Sequence, residues 1–121
     1  INRKLMENAS NFRLVLVTTN SYDNAQNIAR ILVSERLAAC CNIVLSTYSI
    51  YGWRGAIRES LEVMMFIKTS ASQLEFLEPR ILELHPYDAP EIIAIPLESA
   101  TPSYLQWMAD SVKFDREKAE I

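Results

Sequence analysis

The chain has 121 residues, half of them hydrophobic and 22% charged, with a formal net charge of −3. One soluble domain with an ordinary core follows from that length and balance. An acidic chain without an apolar run of about 18 residues excludes electrostatic nucleic-acid binding and a transmembrane helix. Neither a nucleic-acid partner nor a membrane partner is expected.

Residues 1–11 are mixed and polar and are expected to form a flexible N-terminal arm. "FRLVLVTT" (Phe12–Thr19) is short, apolar and β-branched, as a buried strand should be. Asn20 and Ser21 then offer a helix cap and Asp23 suits the first turn; Ala25, Ile28, Ala29, Leu32 and Val33 recur at helical spacing to about Arg36. "CCNIVLSTYSIYGW" reads as a strand with Cys41, Ile43, Leu45, Thr47, Ser49, Tyr51 and Trp53 on one face. After "RG", "AIRESLEVMMFIKT" runs back to Thr69, which makes a hairpin with Gly55 supplying the positive φ of its turn. Each arm is about a dozen residues, twice the usual strand length of ~5–6. The first strand is too short to pair with all of it, so the hairpin projects and leaves strand edges and aromatic groups for an oligomer to cover.

A second helix is predicted from Ser70 or Ser72 to Leu84, with Ser72 and Glu75 as a capping box and a kink at Pro79. His85 and Pro86 end it. "EIIAIP" is a strand that Pro96 terminates, and "TPSYLQWMADSV" is a third helix with Thr101 as cap and Pro102 at its first position. The charged end, 113–121, forms a tail. The order βαββαβ plus a final helix is an α+β, ferredoxin-like sandwich over 12–112 with a long hairpin between its second and third strands.

Chemistry concentrates in few places. The sequence holds one histidine and two cysteines, adjacent at Cys40 and Cys41, and lacks GxGxxG, GxxxxGK[ST] and CxxC motifs. Neighbours in a strand point to opposite faces, so the two thiols are not expected to pair, and a reducing compartment fits them. An RNA-recognition fold would share the strand order, but the first strand has no aromatic to stack on a base. His85 is either a helix-end donor or a metal ligand. Cys40 is either a small buried hydrophobe or, with His85, the nucleophile of an enzyme. Glu59, Glu62 and Lys68 are expected to be solvated or paired across the hairpin, with Lys68 and Glu91 also candidates to line a site.

Four stretches taken in order resemble one family. "ERLAACCNI" is similar to E-[KR]-L-A-A-C-x-N-[IL], "SIYGWRGAI" to the family's hairpin tip, "LHPYDAPEIIAIP" to H-P-Y-x-x-P-E-[IL]-[IVL]-x-[IL]-P, and "YLQWM" to the Y-L-x-W of its last helix. The family is CutA, the divalent-cation tolerance proteins, and the resemblance covers about Phe12 to Val112. It implies a ferredoxin-like homotrimer, non-enzymatic and PII-like, cytoplasmic or preceded by an organellar targeting segment upstream of Ile1. It also implies a response to divalent metal ions. Its copper ligands are a first-strand cysteine and a His-His pair; the matching positions here are Val17 and Leu84, so His85 alone remains, and any binding of Cu²⁺ or another divalent metal is expected to be weak. The implied ligand site lies in a cleft between subunits, lined by Lys68, Tyr87, Glu91 and Trp53 with Asn42 and Cys40 nearby. The alternatives are an enzyme using Cys40 and His85, or a structural assembly protein with no ligand site.

Overall fold

The computed structural model describes residues 5–112. The elements are β1 (Glu7–Asn8), β2 (Phe12–Thr19), α1 (Tyr22–Ser34), β3 (Cys40–Trp53), β4 (Ala56–Ser70), a 3-10 turn (Ala71–Gln73), α2 (Leu74–Leu84), β5 (Ile92–Pro96), β6 (Ser99–Ala100) and α3 (Pro102–Ser111). Strands β2 to β5 form an antiparallel sheet in the order β3-β4-β2-β5. The fold is α+β, with α1 and α2 laid on one face of that sheet and α3 at its end.

Alternation along β2 decides which face the helices cover. Val15 and Val17 point inward with Met65, Ile67 and Val63 of β4, and meet Ala25, Ile28 and Leu32 of α1 and Leu77 and Ile81 of α2. Each such buried aliphatic side chain contributes roughly 1.5–3 kcal/mol. Ser21 caps α1 by accepting from the Asn24 N–H at 3.1 Å, as its position suggests. Val33 falls off the helix stripe and is half-exposed. α1 stops because Arg36 enters the left-handed region at φ 61. Its guanidinium then donates to the Asp110 and Ser111 carbonyls at the end of α3.

The hairpin projects as expected. β2 pairs only with Val63–Ser70 of β4, so the distal stretch, where Thr47–Trp53 meets Ala56–Glu62, has no third strand among the described residues. At its turn both Arg54 (φ 51) and Gly55 (φ 78) are left-handed, the signature of a two-residue type I′ turn. One expectation fails. The register shifts between Val44, opposite Met64, and Thr47, opposite Glu62, so β3 carries a bulge. The extra residue reverses the side-chain alternation beyond it. Cys41 and Ile43 therefore share a face with Tyr48 and Ile50, across from Leu61 and Glu59, whereas Thr47, Ser49, Tyr51 and Trp53 go to the other face with Glu62 and Ser60.

Two further points differ from the sequence reading. Glu7–Asn8 of the arm pair with Ser99–Ala100, and Ala9 is buried against α3, so this part of the arm is held in place. The Ser72–Glu75 capping box does not form: Gln73 is the N-cap of α2 and the Ser72 hydroxyl bonds that of Ser70 at 3.1 Å. α2 runs as one helix through Pro79, which faces solvent. The tail at 113–121 lies outside the described residues.

Because the Pro79 ring makes no buried contact, its replacement should restore a backbone donor without loss of packing. Pro79→Ala is expected to raise stability by about 1 kcal/mol in urea unfolding. A loss of stability would show that the proline shapes the seat of α2 on the sheet.

Candidate functional site

The face of the sheet turned away from the helices is also apolar. In cross-strand rows it presents Leu14 beside Ile95, Leu16 between Phe66 and Ile93, and Val44 beside Met64. Ile93 is 48% exposed and Val44 45%. Polar groups stand at the two ends of this face, and the residues predicted to form a site divide between them.

At the inner end, Lys68 sits between Cys40 and Leu14. Its ammonium donates to the Tyr104 hydroxyl at 3.2 Å and lies 5.3 Å from that ring's centre. The Cys40 thiol lies 3.6 Å from Asn42 Oδ1. Cys41 faces the core instead, where burial pushes its thiol up to about 12, and a thiol held protonated is a poor nucleophile and a poor metal ligand.

At the outer end the chain leaving α2 folds over the rim of the sheet. The His85 N–H still donates to Ile81 O, after which the backbone turns extended and Pro86 prevents further helix. The His85 side chain is buried. Its Nδ1 accepts the Tyr87 backbone N–H at 3.1 Å, which leaves the proton on Nε2 to donate to Thr18 O at 2.7 Å. Both ring nitrogens are thereby engaged, and neither offers a lone pair to a metal. So fixed, Tyr87 donates its hydroxyl to Glu62 Oε2 at 2.9 Å. Glu62 is only 9% exposed and has no ion-pair partner among the described residues. The expectation of a solvated or cross-strand paired Glu62 is thus corrected. The clue lay in β4 itself: Glu62 shares alternation with Met64 and Phe66, so it belongs to an apolar face.

A groove of about 460 Å³ opens beside this network, between the turn at Pro86–Ala89 and the hairpin, with Tyr51, Trp53, Ser60 and Tyr87 in its walls. A larger hollow of about 690 Å³, between Phe12, Gln73 and Val112, has no titratable side chain among its described lining residues, so the smaller groove is the chemical candidate. The structure therefore brings Trp53, Tyr87 and His85 together and adds Tyr51 and Glu62. Lys68, Cys40 and Asn42 stay apart from them: six residues of β4 separate Lys68 from Glu62, roughly 20 Å at ~3.4 Å per residue. Glu91 is exposed just before β5. No group of three or more His, Cys, Asp or Glu side chains converges on a metal position among the described residues. No described helix is long and apolar enough to cross a membrane.

Comparison with known proteins bears on this arrangement. Residues 13–111 match the family model described as CutA1 divalent ion tolerance protein. The divalent-cation tolerance protein CutA of Thermus thermophilus is 42% identical over 98 residues, which are 81% of this chain and 95% of that protein. Human protein CutA is 44% identical over 76% of this chain, which spans 51% of the human sequence. A chloroplastic CutA of Arabidopsis thaliana is 37% identical over 83% of this chain and 55% of its own length. Among solved structures, CutA from Synechococcus elongatus superposes with a TM-score of 0.87 at 31% identity, over 91% of this chain and 97% of that one.

The Tyr87–Glu62 bond gives a measurable signature. Burial first, then the hydrogen bond to Glu62, hold the Tyr87 phenol well above its ordinary value of 10.0. Above pH ~10 the unfolded chain loses this proton while the folded protein keeps it, so stability falls as pH rises through that region. Tyr87→Phe should flatten this alkaline limb and cost about 1 kcal/mol near neutrality, where Glu62 loses its donor. Denaturant unfolding at pH 7 and pH 10.5 measures both, and a variant that matches the parent at both values would show the bond to be idle.

Proposed function

The chain belongs to the CutA1 family of divalent ion tolerance proteins, and on that footing we propose that it is a non-enzymatic binding protein, a cytoplasmic homotrimer of ferredoxin-like subunits that takes a small ligand in clefts between subunits. The observation that carries the proposal is the second apolar face of the sheet, with Leu14, Leu16, Phe66 and Ile93 left uncovered by the described helices α1 and α2. A face of this kind is stable when it meets another protein surface. The hairpin supplies the means. β3 and β5 are the two edges of the sheet, so the unpaired distal part of one hairpin can extend the β5 edge of a neighbour, and repetition of that contact closes a ring. The number three comes from the family resemblance.

In such a ring the two polar ends need not act within one subunit. We take the cleft to be built from Tyr87, Trp53 and Glu91 on one side and Lys68, Cys40 and Asn42 on the other. Divalent metal, copper foremost by the usual affinity order, is the second reading, supported by the names the relatives bear. Metal contact at His85 requires the ring to give up Thr18 or Tyr87, which makes binding there weak. The enzyme alternative loses support within the chain, because Cys40 lies level with Leu14 whereas His85 meets Thr18, four residues along β2 or roughly 13 Å away.

Light scattering at micromolar concentration is expected to give three times the chain mass of 13.8 kDa. Ile93→Asp, which places a charge in the uncovered face, should lower that mass to one chain while the sheet and helices persist by circular dichroism. A wild-type monomer, or a variant that stays assembled, defeats the proposal.

A further inference from the structure

The groove beside Tyr87 has a composition that selects a class of ligand. Three of its walls are aromatic rings, Tyr51, Trp53 and Tyr87, and Asp88 contributes a carboxylate. Among the described residues no lysine or arginine lines it. Behind the Tyr87 phenol stands Glu62, a buried carboxylate without an ion-pair partner among the described residues. Ring faces carry negative charge density and attract diffuse cations, the more so where water is partly excluded. The chain uses this property itself: the Arg54 guanidinium lies 5.6 Å from the centre of the Trp53 ring.

We propose that the groove binds a small organic cation, an alkylammonium or guanidinium group, with Tyr51, Trp53 and Tyr87 around it and Asp88 as the counter-charge. A metal ion fits these walls poorly. It needs several hard donors at fixed distances, and here one carboxylate is offered among rings. An anion would meet the Asp88 carboxylate, and the Arg54 guanidinium is already held against the Trp53 ring. The volume of about 460 Å³ suits a group of a few heavy atoms with space for a substituent. Glu62 acts at second hand, by holding the Tyr87 ring through its hydroxyl and by adding to the local potential. The inference rests on reading the groove as a ligand cleft that stays open in the assembly.

Trp53 and Trp107 are the two tryptophans, and Trp107 lies on α3, outside the groove, so Trp107→Phe leaves Trp53 as the single indole reporter. Tetramethylammonium chloride titrated into this protein should change Trp53 emission saturably, and sodium chloride at equal ionic strength should not. Asp88→Asn and Tyr51→Leu are each expected to weaken binding about tenfold, the scale of one cation–π contact or one nearby charge. Scattering on the same samples separates this inference from the assembly it rests on. Saturable binding to a monomer supports the cation site and counts against the trimer. A trimer that gives no saturable change, or binds equally after both substitutions, overturns the cation site and leaves the trimer standing. A response to manganese chloride with none to tetramethylammonium also overturns it, in favour of a metal.

Discussion

The sheet is apolar on both sides, and the described helices α1 and α2 cover one of them. This follows from the composition of β2, where Val15 and Val17 alternate with Leu14 and Leu16 so that each face receives aliphatic groups. The rest of β2 to β5 repeats the pattern, with Met65 and Ile67 inward and Met64 and Phe66 outward. α1 and α2 bury the inner set. The outer set keeps intermediate to high exposure, the condition in which a soluble chain gains most from association. Fold stability and association are thus two uses of one strand pattern. A substitution at Val17 acts on the first, and one at Leu16 acts on the second.

The bulge in β3 connects that pattern to the groove. Without the extra residue between Val44 and Thr47, Tyr51 and Trp53 would continue the face of Ile43, on the helix side. Shifted by one, they join Ser60 and Glu62 on the uncovered side, where the turn after α2 places Tyr87. In exchange Tyr48 and Ile50 move to the helix-side face, beyond the reach of the helices, and stay about 60% exposed. One residue therefore sets both the aromatic wall of the groove and the apolar surface of the hairpin's opposite side.

Much of this was legible in the sequence. The limits of β2, the cap at Ser21, the overlong hairpin and its turn at Gly55 follow from alternation, capping and turn chemistry, and the structure has each of them. The bulge was not legible, because "VLSTY" contains no glycine or proline to mark it and strict alternation was the simpler pattern. The hold on Glu7–Asn8 was missed because a two-residue pairing has no periodicity. Of the groove walls, Trp53 and Tyr87 entered through the family resemblance, whose hairpin-tip and H-P-Y segments contain them. Glu62 was passed over because a glutamate on a hairpin arm is usually solvated, although its alternation with Met64 and Phe66 places it at the end of an apolar face.

The single histidine has a use that needs no ligand. His85 ties three segments together: the last turn of α2 through its backbone, the end of β2 through Nε2, and the following turn through Nδ1. A neutral imidazole suits this because it presents one donor and one acceptor on a rigid ring. The ring also meets Tyr87 edge to face at 4.8 Å. The phenol is delivered to Glu62 by this strut, and the groove owes the position of its Tyr87 wall to it. A metal taken at Nδ1 releases the Tyr87 N–H, and one taken at Nε2 releases Thr18. In either case the ion enters at the expense of the bonds that set the groove. Metal at His85 and an ordered Tyr87 wall are therefore competing states of one turn, and the hydrogen bonds favour the second.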